Sequence, residues 1–499
     1  MRATSTSTRV SPVLLGRRLD PGYYRSADLA VESRIRQGKN AVVLLGDAIS
    51  FFETGDGAKN SGPCRLLKTR AIVHDALDYS DYIETVSVPQ ELVLLDGDTL
   101  LTTYGVAMGK VAAVVGPPVN TTVDYTIAII RADPRTADSF FLCSFLRTDA
   151  GQALIQRRAK GTSMPFVLRT DLEDMPIPNV ELLAQRYIGN KVRQAELLRE
   201  RARNARIQVQ AQLDAVVPSY DASVRSISRV ERRGVTDRLD CQPYRAHFRG
   251  LVEAIHQIQH DCLGEIAHLG SGDPVPSSEF TPVGVPLVRN RDIGRTGFGS
   301  IETAVSNAYA MRHLRYAAKE GLIVIGMDGE FRAQFVLNFD LPLHINQRVA
   351  MVLPYGIRAE LLTAWLNRVE GQHQLNQWAV KTTVEHTSLE YISSVLVPRL
   401  PDLVETALAD LLAVARCADW LAQALTIASK VLVESLIAGK IPESALVSAQ
   451  IALESNDRTA DRAILASVRR TTAPDAPALF PDLDALYALL DEDTSSGEN

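Results

Sequence analysis

The sequence predicts an α+β protein made of two tandem mixed α/β domains, each followed by one long helix. Three observations support this prediction: a long internal duplication, short strand-like segments broken by glycine, proline and aspartate, and two extended apolar stripes at helical spacing. Neither helix can bury its apolar residues alone. We therefore expect the two helices to pair as an antiparallel, coiled-coil-like spacer.

The duplication appears as short matching segments separated by a nearly constant distance along the chain. The tripeptide Arg-Leu-Asp at 18–20 returns at 238–240, an offset of 220 residues. Further on, residues 66–72 match 287–293 at an offset of 221. Solenoid repeats have periods of roughly 20–50 residues, so this period indicates two copies of a whole domain. Two such copies suggest a protein that reads something twice.

The first part of each copy contains short β-rich runs punctuated by turn-forming residues. Copy one has such runs at 92–95, 111–115 and 126–130, and copy two has them at 322–325 and 349–352. Each copy also contains a shorter helical segment, predicted at 140–158 in copy one and at 359–379 in copy two. These patterns predict a mixed domain in each half.

The second part of each copy is a long helix. The first is predicted at 180–216, where apolar residues recur three and four positions apart. The second is predicted at 402–438 and is richer in alanine and leucine. At about 1.5 Å per residue, each helix would be roughly 50 Å long. The predicted divisions are a first domain at 1–179, a helix at 180–216, a second domain at 217–400, a helix at 401–441 and an acidic tail at 442–499.

Charge is distributed unevenly along the chain. The formal net charge is −6, but residues 442–499 contain eleven acidic and four basic residues. The remaining 441 residues are therefore close to neutral. A neutral body gives no support from global charge for nucleic-acid binding. The tail contains an amphipathic pattern at 479–490 that is expected either to dock as a helix or to remain a loosely attached acidic end.

The sequence shows no recognisable motif for catalysis or metal binding. The segment Gly105–Lys110 has the wrong glycine spacing for a phosphate-binding loop, and His256 and His260 lack the glutamate of a zinc metalloprotease. The five cysteines are scattered without a Cys-x-x-Cys pair, which fits a reducing cytoplasm. We predict a non-catalytic cytoplasmic protein with no bound metal or cofactor and no membrane partner.

Several motifs, repeated in the same order in both copies, resemble one known family. They are the Arg-Leu-Asp opening followed by Tyr24 or Tyr244, the strand at 285–293, the Gly-Asp strand and glycine turn at 97–105, the closing segment at 161–178 and the helix end at 436–441. Over roughly residues 17–441 the chain resembles the specificity subunit of type I restriction–modification enzymes. Copy two departs from the pattern, since it has Glu320-Gly321-Leu322 at its strand start.

The resemblance implies two target-recognition domains that each read one half of a split double-stranded DNA site, with the paired helices as a spacer between them. It implies methyltransferase subunits as partners, with S-adenosylmethionine bound on those partners, and a motor and endonuclease subunit that can join the complex. The DNA-contacting residues that we predict are Lys68, Arg70, Thr102, Thr103, Tyr104, Lys110, Arg157, Arg158, Lys160, Thr162, Ser163, Arg289, Asn290, Arg291, Gln347, Lys381, Thr382 and Thr383.

A second hypothesis keeps the same architecture but not the DNA reading. In this alternative the chain is a non-catalytic protein scaffold of a defence complex that binds other proteins through its helices and acidic tail. The neutral body and the unequal halves favour it.

Overall fold

The two copies of the repeat form separate structural units. The computed structural model describes residues 18, 20–37, 42–56, 61–73, 75–224, 227–236, 238–381, 383–469 and 478–496. Unit 1 comprises Met1–Arg199 with Leu421–Asn499, and unit 2 comprises Glu200–Trp420. The boundaries between the units fall inside the two predicted long helices rather than at their ends.

Unit 1 begins with a short helical segment and continues as a mixed α/β domain. Its strands are β1 (Val43–Leu44), β2 (Ile49–Thr54), β3 (Ser61–Leu67), β4 (Ile72–Val73), β5 (Ala76–Leu77), β6 (Tyr82–Val86), β7 (Thr99–Thr102), β8 (Val111–Ala113), β9 (Thr121–Val123), β10 (Ile127–Ala132) and β11 (Pro176–Ile177). Its helices before the first long helix are α1 (Ser26–Arg36), α2 (Leu45–Ala48), α3 (Ser139–Arg147), α4 (Asp149–Arg158) and α5 (Arg169–Leu172).

The first long helix, α6 (Leu182–Val216), follows, and unit 2 then repeats the mixed domain. Its strands are β12 (His260–Cys262), β13 (Ala267–Ser271), β14 (Phe280–Thr281), β15 (Val285–Val288), β16 (Ala304–Val305), β17 (Ile323–Gly326), β18 (Ala333–Phe335), β19 (His344–Ile345), β20 (Val349–Pro354), β21 (Val380–Lys381), β22 (Glu385–His386) and β23 (Leu396–Pro398). Its helices are α7 (Ala246–Ile255), α8 (Leu263–Ile266), α9 (Asn307–Arg312), α10 (Ala359–Asn367), α11 (Val369–Gln377) and α12 (Leu389–Ser393).

The main sheets of the two units share one strand order. The four-stranded antiparallel sheet has the order β2-β10-β7-β8 in unit 1 and β13-β20-β17-β18 in unit 2. A second sheet contains the parallel pair β3–β9 in unit 1 and the parallel pair β15–β19 in unit 2. The sequence duplication is thus a duplication of fold, and the predicted mixed helix-and-strand class is confirmed.

The second long helix is α13 (Asp402–Ile437), and three further helices follow it: α14 (Glu443–Glu454), α15 (Thr459–Ser467) and α16 (Leu483–Ser496). Both long helices lie where the apolar stripes predict them: α6 begins two residues after position 180, and α13 ends one residue before position 438 and four before the predicted domain limit at 441. Within the described residues, α13 is the one helix long and apolar enough to cross a membrane by length and composition. Over its most apolar window 56% of the residues are buried, as in the core helix of a globular protein.

The glycine–glutamine pair that recurs in the duplication has a packing role. A Cβ atom on Gly151 would lie 2.1 Å from the Phe145 carbonyl oxygen, and one on Gly371 would lie 2.2 Å from that of Trp365. The next residue, Gln152 or Gln372, donates a hydrogen bond to a helix-end carbonyl. Each Gly-Gln pair therefore fixes the joint between two consecutive helices, α3–α4 and α10–α11.

The repeated Arg-Leu-Asp motif also has a structural role in both units. Arg18 bonds Asp20 at 2.8 Å and donates to the carbonyl oxygen of Arg158 at 2.7 Å. Arg238 bonds Asp240 at 2.8 Å and donates to the carbonyl oxygen of Trp378. Those carbonyl groups lie at or just beyond the ends of α4 and α11. The arginine therefore caps the equivalent helix end in each copy.

The segment predicted as an acidic tail is instead a folded part of unit 1. Lys191 of α6 and Asp461 of α15 are both fully buried, with their charged atoms 2.7 Å apart. Tyr187 and Tyr487 donate hydrogen bonds to the two carboxylate oxygens of Asp461 at 2.7 and 2.6 Å. Burial alone would raise the pKa of Asp461, but Lys191 and the two tyrosines lower it below its usual range. Of the two outcomes expected for the tail, the structure has the docked one, and these buried partners, which net charge does not reveal, are the reason.

We expect Lys191→Met to lower the free energy of unfolding by about 3–5 kcal/mol, because it leaves the Asp461 carboxylate buried without its cation. Urea denaturation of the full chain, with hydrogen exchange of α15 and α16, measures the destabilisation. The ion pair of Arg186 with Glu454 is a matched control, because it joins α6 to α14 at 3.5 Å but is about half exposed. Arg186→Gln should cost less than about 1 kcal/mol, and equal destabilisation in both variants would contradict the assignment.

Candidate nucleic-acid interface

The predicted cations of residues 68–70 and 289–291 lie on a short turn. This turn has the same backbone conformation in both units. Lys68 (φ −107°, ψ 170°) leads from β3 into the 3₁₀ turn Thr69–Ala71. Arg289 (φ −117°, ψ 167°) leads from β15 into the 3₁₀ turn Asn290–Asp292. A buried isoleucine follows each turn and anchors it to the core. The sequence match at offset 221 is therefore a match of structure.

A second turn lies beside the first because of the parallel strand pairing. The backbone N–H of Asp124 donates to the Leu67 carbonyl at 3.1 Å, and that of Asn346 donates to the Val288 carbonyl at 3.0 Å. The residue after each of these, Tyr125 or Gln347, is exposed. Since parallel strands end at the same edge of a sheet, two turns meet there in each unit.

A third pair of loops closes the same edge. In unit 1 the Gly105 N–H donates to the Pro165 carbonyl at 2.8 Å, and the Val167 N–H donates to that of Thr103 at 2.9 Å. In unit 2 the Gly329 N–H donates to the Glu385 carbonyl at 2.8 Å. The Thr387 N–H donates to the Met327 carbonyl at 3.0 Å. The loops that carry Tyr104 and Ser163 in unit 1 thus correspond to the loops that carry Asp328 and Thr383 in unit 2.

We call these joined loops rim 1 and rim 2. Rim 1 consists of residues 68–71, 103–105, 124–126 and 160–166, and rim 2 of residues 289–292, 327–329, 346–348 and 383–387. Hydrogen bonds connect the loops within rim 1: the hydroxyls of Thr69 and Thr126 lie 3.0 Å apart, and the Thr103 N–H donates to the Thr126 carbonyl at 2.8 Å. In rim 2, the Asn290 side chain donates to the Asp328 carbonyl.

The two rims differ in the side chains that occupy equivalent positions. Rim 1 pairs the rings of Tyr104 and Phe166, whose centroids lie 6.4 Å apart. Rim 2 places Asp328 and His386 there, with the His386 ring nitrogen 2.7 Å from the carboxylate. Arg348 approaches the same carboxylate at 3.7 Å and remains 60% exposed. At these equivalent positions rim 1 is aromatic, whereas rim 2 is charged.

Most of the predicted DNA-contacting residues lie on or beside the rims and reach solvent. Several already have a polar or ionic partner: Arg70 bonds Asp81 at 2.8 Å, and Lys160 bonds Asp171 at 2.5 Å. The Lys110 ammonium donates to the Ile72 carbonyl at 3.1 Å. The exposed members are Lys68, Arg70, Tyr104, Lys110, Thr162, Ser163, Arg291, Gln347 and Thr383, and the partly buried ones are Lys160, Arg289 and Asn290. Thr382 and the side chain of Lys381 lie outside the described residues.

Four predicted residues are buried, and we remove them from the DNA-contacting set. Thr102 and Thr103 are 0% and 4% exposed, because β7 lies inside the four-stranded sheet. Arg157 and Arg158, at 6% and 1% exposed, form ion pairs with Glu32. The basic sequence at the end of α4 was interpreted as a DNA-facing patch, but it holds α1 against α4.

Sequence reasoning missed two residues of the rims, Tyr125 and Arg348. Both lie in the turn between the parallel-paired strand and the next strand, and both side chains are 60% exposed. The signal was present in the match of 123–128 with 345–350 at offset 222, where only Gln347 was predicted to contact DNA. A tyrosine ring can stack on a base or sugar, and an arginine can reach a phosphate or a guanine edge.

The described parts of the chain contain no candidate metal site. No group of three or more histidine, cysteine, aspartate or glutamate side chains there could hold a metal ion. His256 follows the end of α7 and His260 begins β12, and their ring nitrogens are 3.2 Å apart.

Comparison with known proteins gives matches among solved structures alone. No family model matches, and no curated protein matches. The type I restriction–modification S subunit from M. genitalium is 14% identical with a TM-score of 0.38, covering 84% of this chain and 98% of that one. The HsdS subunit from Thermoanaerobacter tengcongensis is 18% identical with a TM-score of 0.28, covering 81% and 100%.

A third structure, from work on complex assembly and conformational transition of the type I R-M system, is 19% identical with a TM-score of 0.29, covering 80% and 98%. Matches with TM-scores below 0.5 do not establish a fold or a function. The geometry of the two rims and the sequence motifs therefore carry the functional argument.

We expect Arg157→Met to destabilise unit 1 by about 3–5 kcal/mol, because it leaves Glu32 with less positive charge in a buried site. Arg291→Gln should change stability by less than about 1 kcal/mol, because Arg291 is 58% exposed and its nearest acids lie 3.5–3.6 Å away. Urea denaturation of the two variants measures this contrast. A neutral effect of Arg157→Met would contradict the role of this residue in holding α1 against α4.

Proposed function

We propose that this chain is a non-catalytic, sequence-specific DNA-recognition subunit of a type I restriction–modification complex or a related phage-defence complex. Each rim reads one half of a bipartite double-stranded site, and the chain positions methyltransferase subunits on the DNA between or beside the half-sites. S-adenosylmethionine binds on those partner subunits and not on this chain. A motor and endonuclease subunit completes a restriction complex, and the assembly acts in the cytoplasm.

The observation that carries this proposal is the repetition of one turn geometry with exposed cations in both units. Lysine and arginine on the turn after β3 or β15 are suited to phosphate oxygens, which fix the register of a protein on DNA. Hydroxyl, amide and aromatic groups stand beside them on each rim. Such groups read base edges in a groove.

The long helices support the spacer role. In unit 2, Arg206 of α6 bonds Asp419 of α13, and Val209 and Leu213 share one hydrophobic cluster with Leu408 and Leu412. As residue numbers increase along α6, the numbers of the residues that they contact on α13 decrease, which is the pattern of antiparallel packing. In unit 1, Arg199 of α6 donates to the Thr426 hydroxyl at 2.7 Å. A stiff helix pair would fix the distance between the half-sites that the protein reads, by analogy with dimeric DNA readers.

Neutralising the cations of one rim should weaken DNA binding, because fewer phosphates are then neutralised by the protein. We expect Arg289→Gln with Arg291→Gln to reduce the slope of log affinity against log salt by about 0.9 for each phosphate that is no longer neutralised. Fluorescence anisotropy with a 40-base-pair duplex of mixed sequence, at several salt concentrations and with the methyltransferase partner present, measures the slope.

Arg249 provides the matched control in unit 2. It lies on α7, pairs with Glu253 at 3.3 Å, and belongs to neither rim. Arg249→Gln removes one positive charge and should leave the salt slope unchanged. An equal reduction in both proteins would show that the effect comes from net charge and not from rim 2.

Methylome sequencing of cells with and without the protein tests sequence reading directly. We expect a split motif whose methylation disappears when the gene is deleted. Complementation with a rim 2 variant, Gln347→Ala, should relax or abolish specificity in one half of the motif, because one groove contact is worth about 1–3 kcal/mol of discrimination. Relaxed specificity in both halves together would contradict the assignment of one half-site to each rim.

The scaffold hypothesis remains the second candidate, and the acidic side chains of rim 2 favour it. Asp328 and Glu385 stand on that rim, where they would repel phosphates. If reversing the charges of Arg289 and Arg291 leaves the DNA affinity of the reconstituted complex unchanged, the chain acts as a scaffold and the reading of DNA belongs to its partners.

A further inference from the structure

A cavity of about 190 Å³ lies within unit 2, and no residue of rim 2 lines it. Its wall is formed by α6, α10 and α13 together with the loop that carries Arg295 and Thr296 and the end of β18. Proposed DNA contacts do not involve these residues. The cavity therefore needs an explanation of its own.

The charge of the cavity wall favours an anionic guest. Four arginines line it: Arg206, Arg295, Arg368 and Arg416. Three of them already pair with carboxylates, Arg416 with Asp340 at 2.7 Å, Arg368 with Asp214 at 2.8 Å, and Arg206 with Asp419. Arg295 is exposed and forms no ion pair with a described residue.

The acid of the wall does not neutralise Arg295. Glu360 receives both of its hydrogen bonds from the Arg358 guanidinium, at 3.0 and 2.8 Å. Among the residues that the structure describes, one positive charge thus remains without a partner at the cavity. A guanidinium with free donors matches the two oxygens of a carboxylate in a bidentate geometry. A phosphate group would bring up to two negative charges to this single cation.

Two buried polar atoms on the wall form no hydrogen bond with a described residue, although one of them belongs to Arg416, which pairs with Asp340 through another nitrogen. Thr363 is 4% exposed and Arg416 is 6% exposed, and the Thr363 hydroxyl and the Arg416 Nε form no hydrogen bond among the described residues. Native proteins leave few buried polar atoms unpaired. Burial lowers the pKa of Arg416 and raises that of Asp340.

Five residues of the wall are apolar. Val209, Leu213, Phe335, Ala364 and Leu412 contribute aliphatic and aromatic surface to it. An apolar cavity of about 150 Å³ is large enough to accept benzene. A volume of about 190 Å³ is therefore sufficient for one ring with a small polar group attached.

We infer that this cavity of unit 2 binds a small organic carboxylate whose apolar part is about the size of one aromatic ring. Its carboxylate pairs with Arg295 at the mouth, and its apolar part lies against Phe335 and Leu412. This site is independent of the proposed DNA reading, and its ligand would tie the stability of unit 2 to the concentration of a metabolite.

Isothermal titration calorimetry of the full chain with benzoate tests the inference. We expect saturable binding at one site per chain. The neutral isostere benzamide and the variant Arg295→Gln should each weaken binding about tenfold or more, since each removes a hydrogen bond to a charged group. Inorganic phosphate should not compete, because it has no apolar part to fill the cavity.

Two controls separate the site from general effects. Arg312→Gln removes an exposed cation of α9 that does not line the cavity, and it should bind benzoate like the parent chain. The thermal midpoint of Arg295→Gln without ligand should equal that of the parent, because Arg295 is exposed. The inference is overturned if benzoate does not saturate, if benzamide binds equally well, or if Arg295→Gln has no more effect than Arg312→Gln.

Discussion

The parallel pairing of one strand pair in each unit is the constraint on which both rims depend. Because β3 and β9 run in the same direction, their following turns meet at one sheet edge, and the Asp124 N–H fixes them together through the Leu67 carbonyl. The pair β15–β19 does the same through Asn346 and Val288. Backbone hydrogen bonds do not depend on side-chain identity. The platform can therefore persist while the residues displayed on it change.

Because the backbone platform does not depend on the side chains that it carries, one duplicated fold can present two different surfaces. In rim 1 two aromatic rings meet where rim 2 has the Asp328–His386 pair. The flanking bridges, 104 with 166 and 328 with 386, are the same in both. Each surface is thus free to suit a different partner sequence, provided that the glycine, glutamine and arginine positions that hold the helices remain. Under the proposed function, unequal rims are the expected result of reading an asymmetric split site.

The sequence predicted the duplication, the fold class and the long helices well, because each rests on a pattern that recurs along the chain. It predicted individual site residues less well. Arg157 and Arg158 have the composition of a DNA-facing patch, and only the position of Glu32 shows that they are buried. The prediction that Thr102 contacts DNA was wrong for a similar reason. The pattern of residues along one strand does not reveal that the sheet is covered on both faces. Tyr125 was missed because aromatic exposure depends on how the turn projects from the sheet.

Net charge was the weakest guide, and the C-terminal helices show why. Their acids suggest a repulsive tail, yet within unit 1 Asp461 is neutralised by Lys191, and Asp491 and Asp484 pair with Arg458 and Arg462. Charges compensated by a directly bonded partner have little effect beyond about 10 Å at ordinary ionic strength. In rim 1, Arg70 and Lys160 are likewise paired with Asp81 and Asp171, and Lys68 is an exposed cation that forms no ion pair with a described residue. A chain of negative net charge can bind DNA when its acids are neutralised internally and its exposed cations lie on one edge of a sheet.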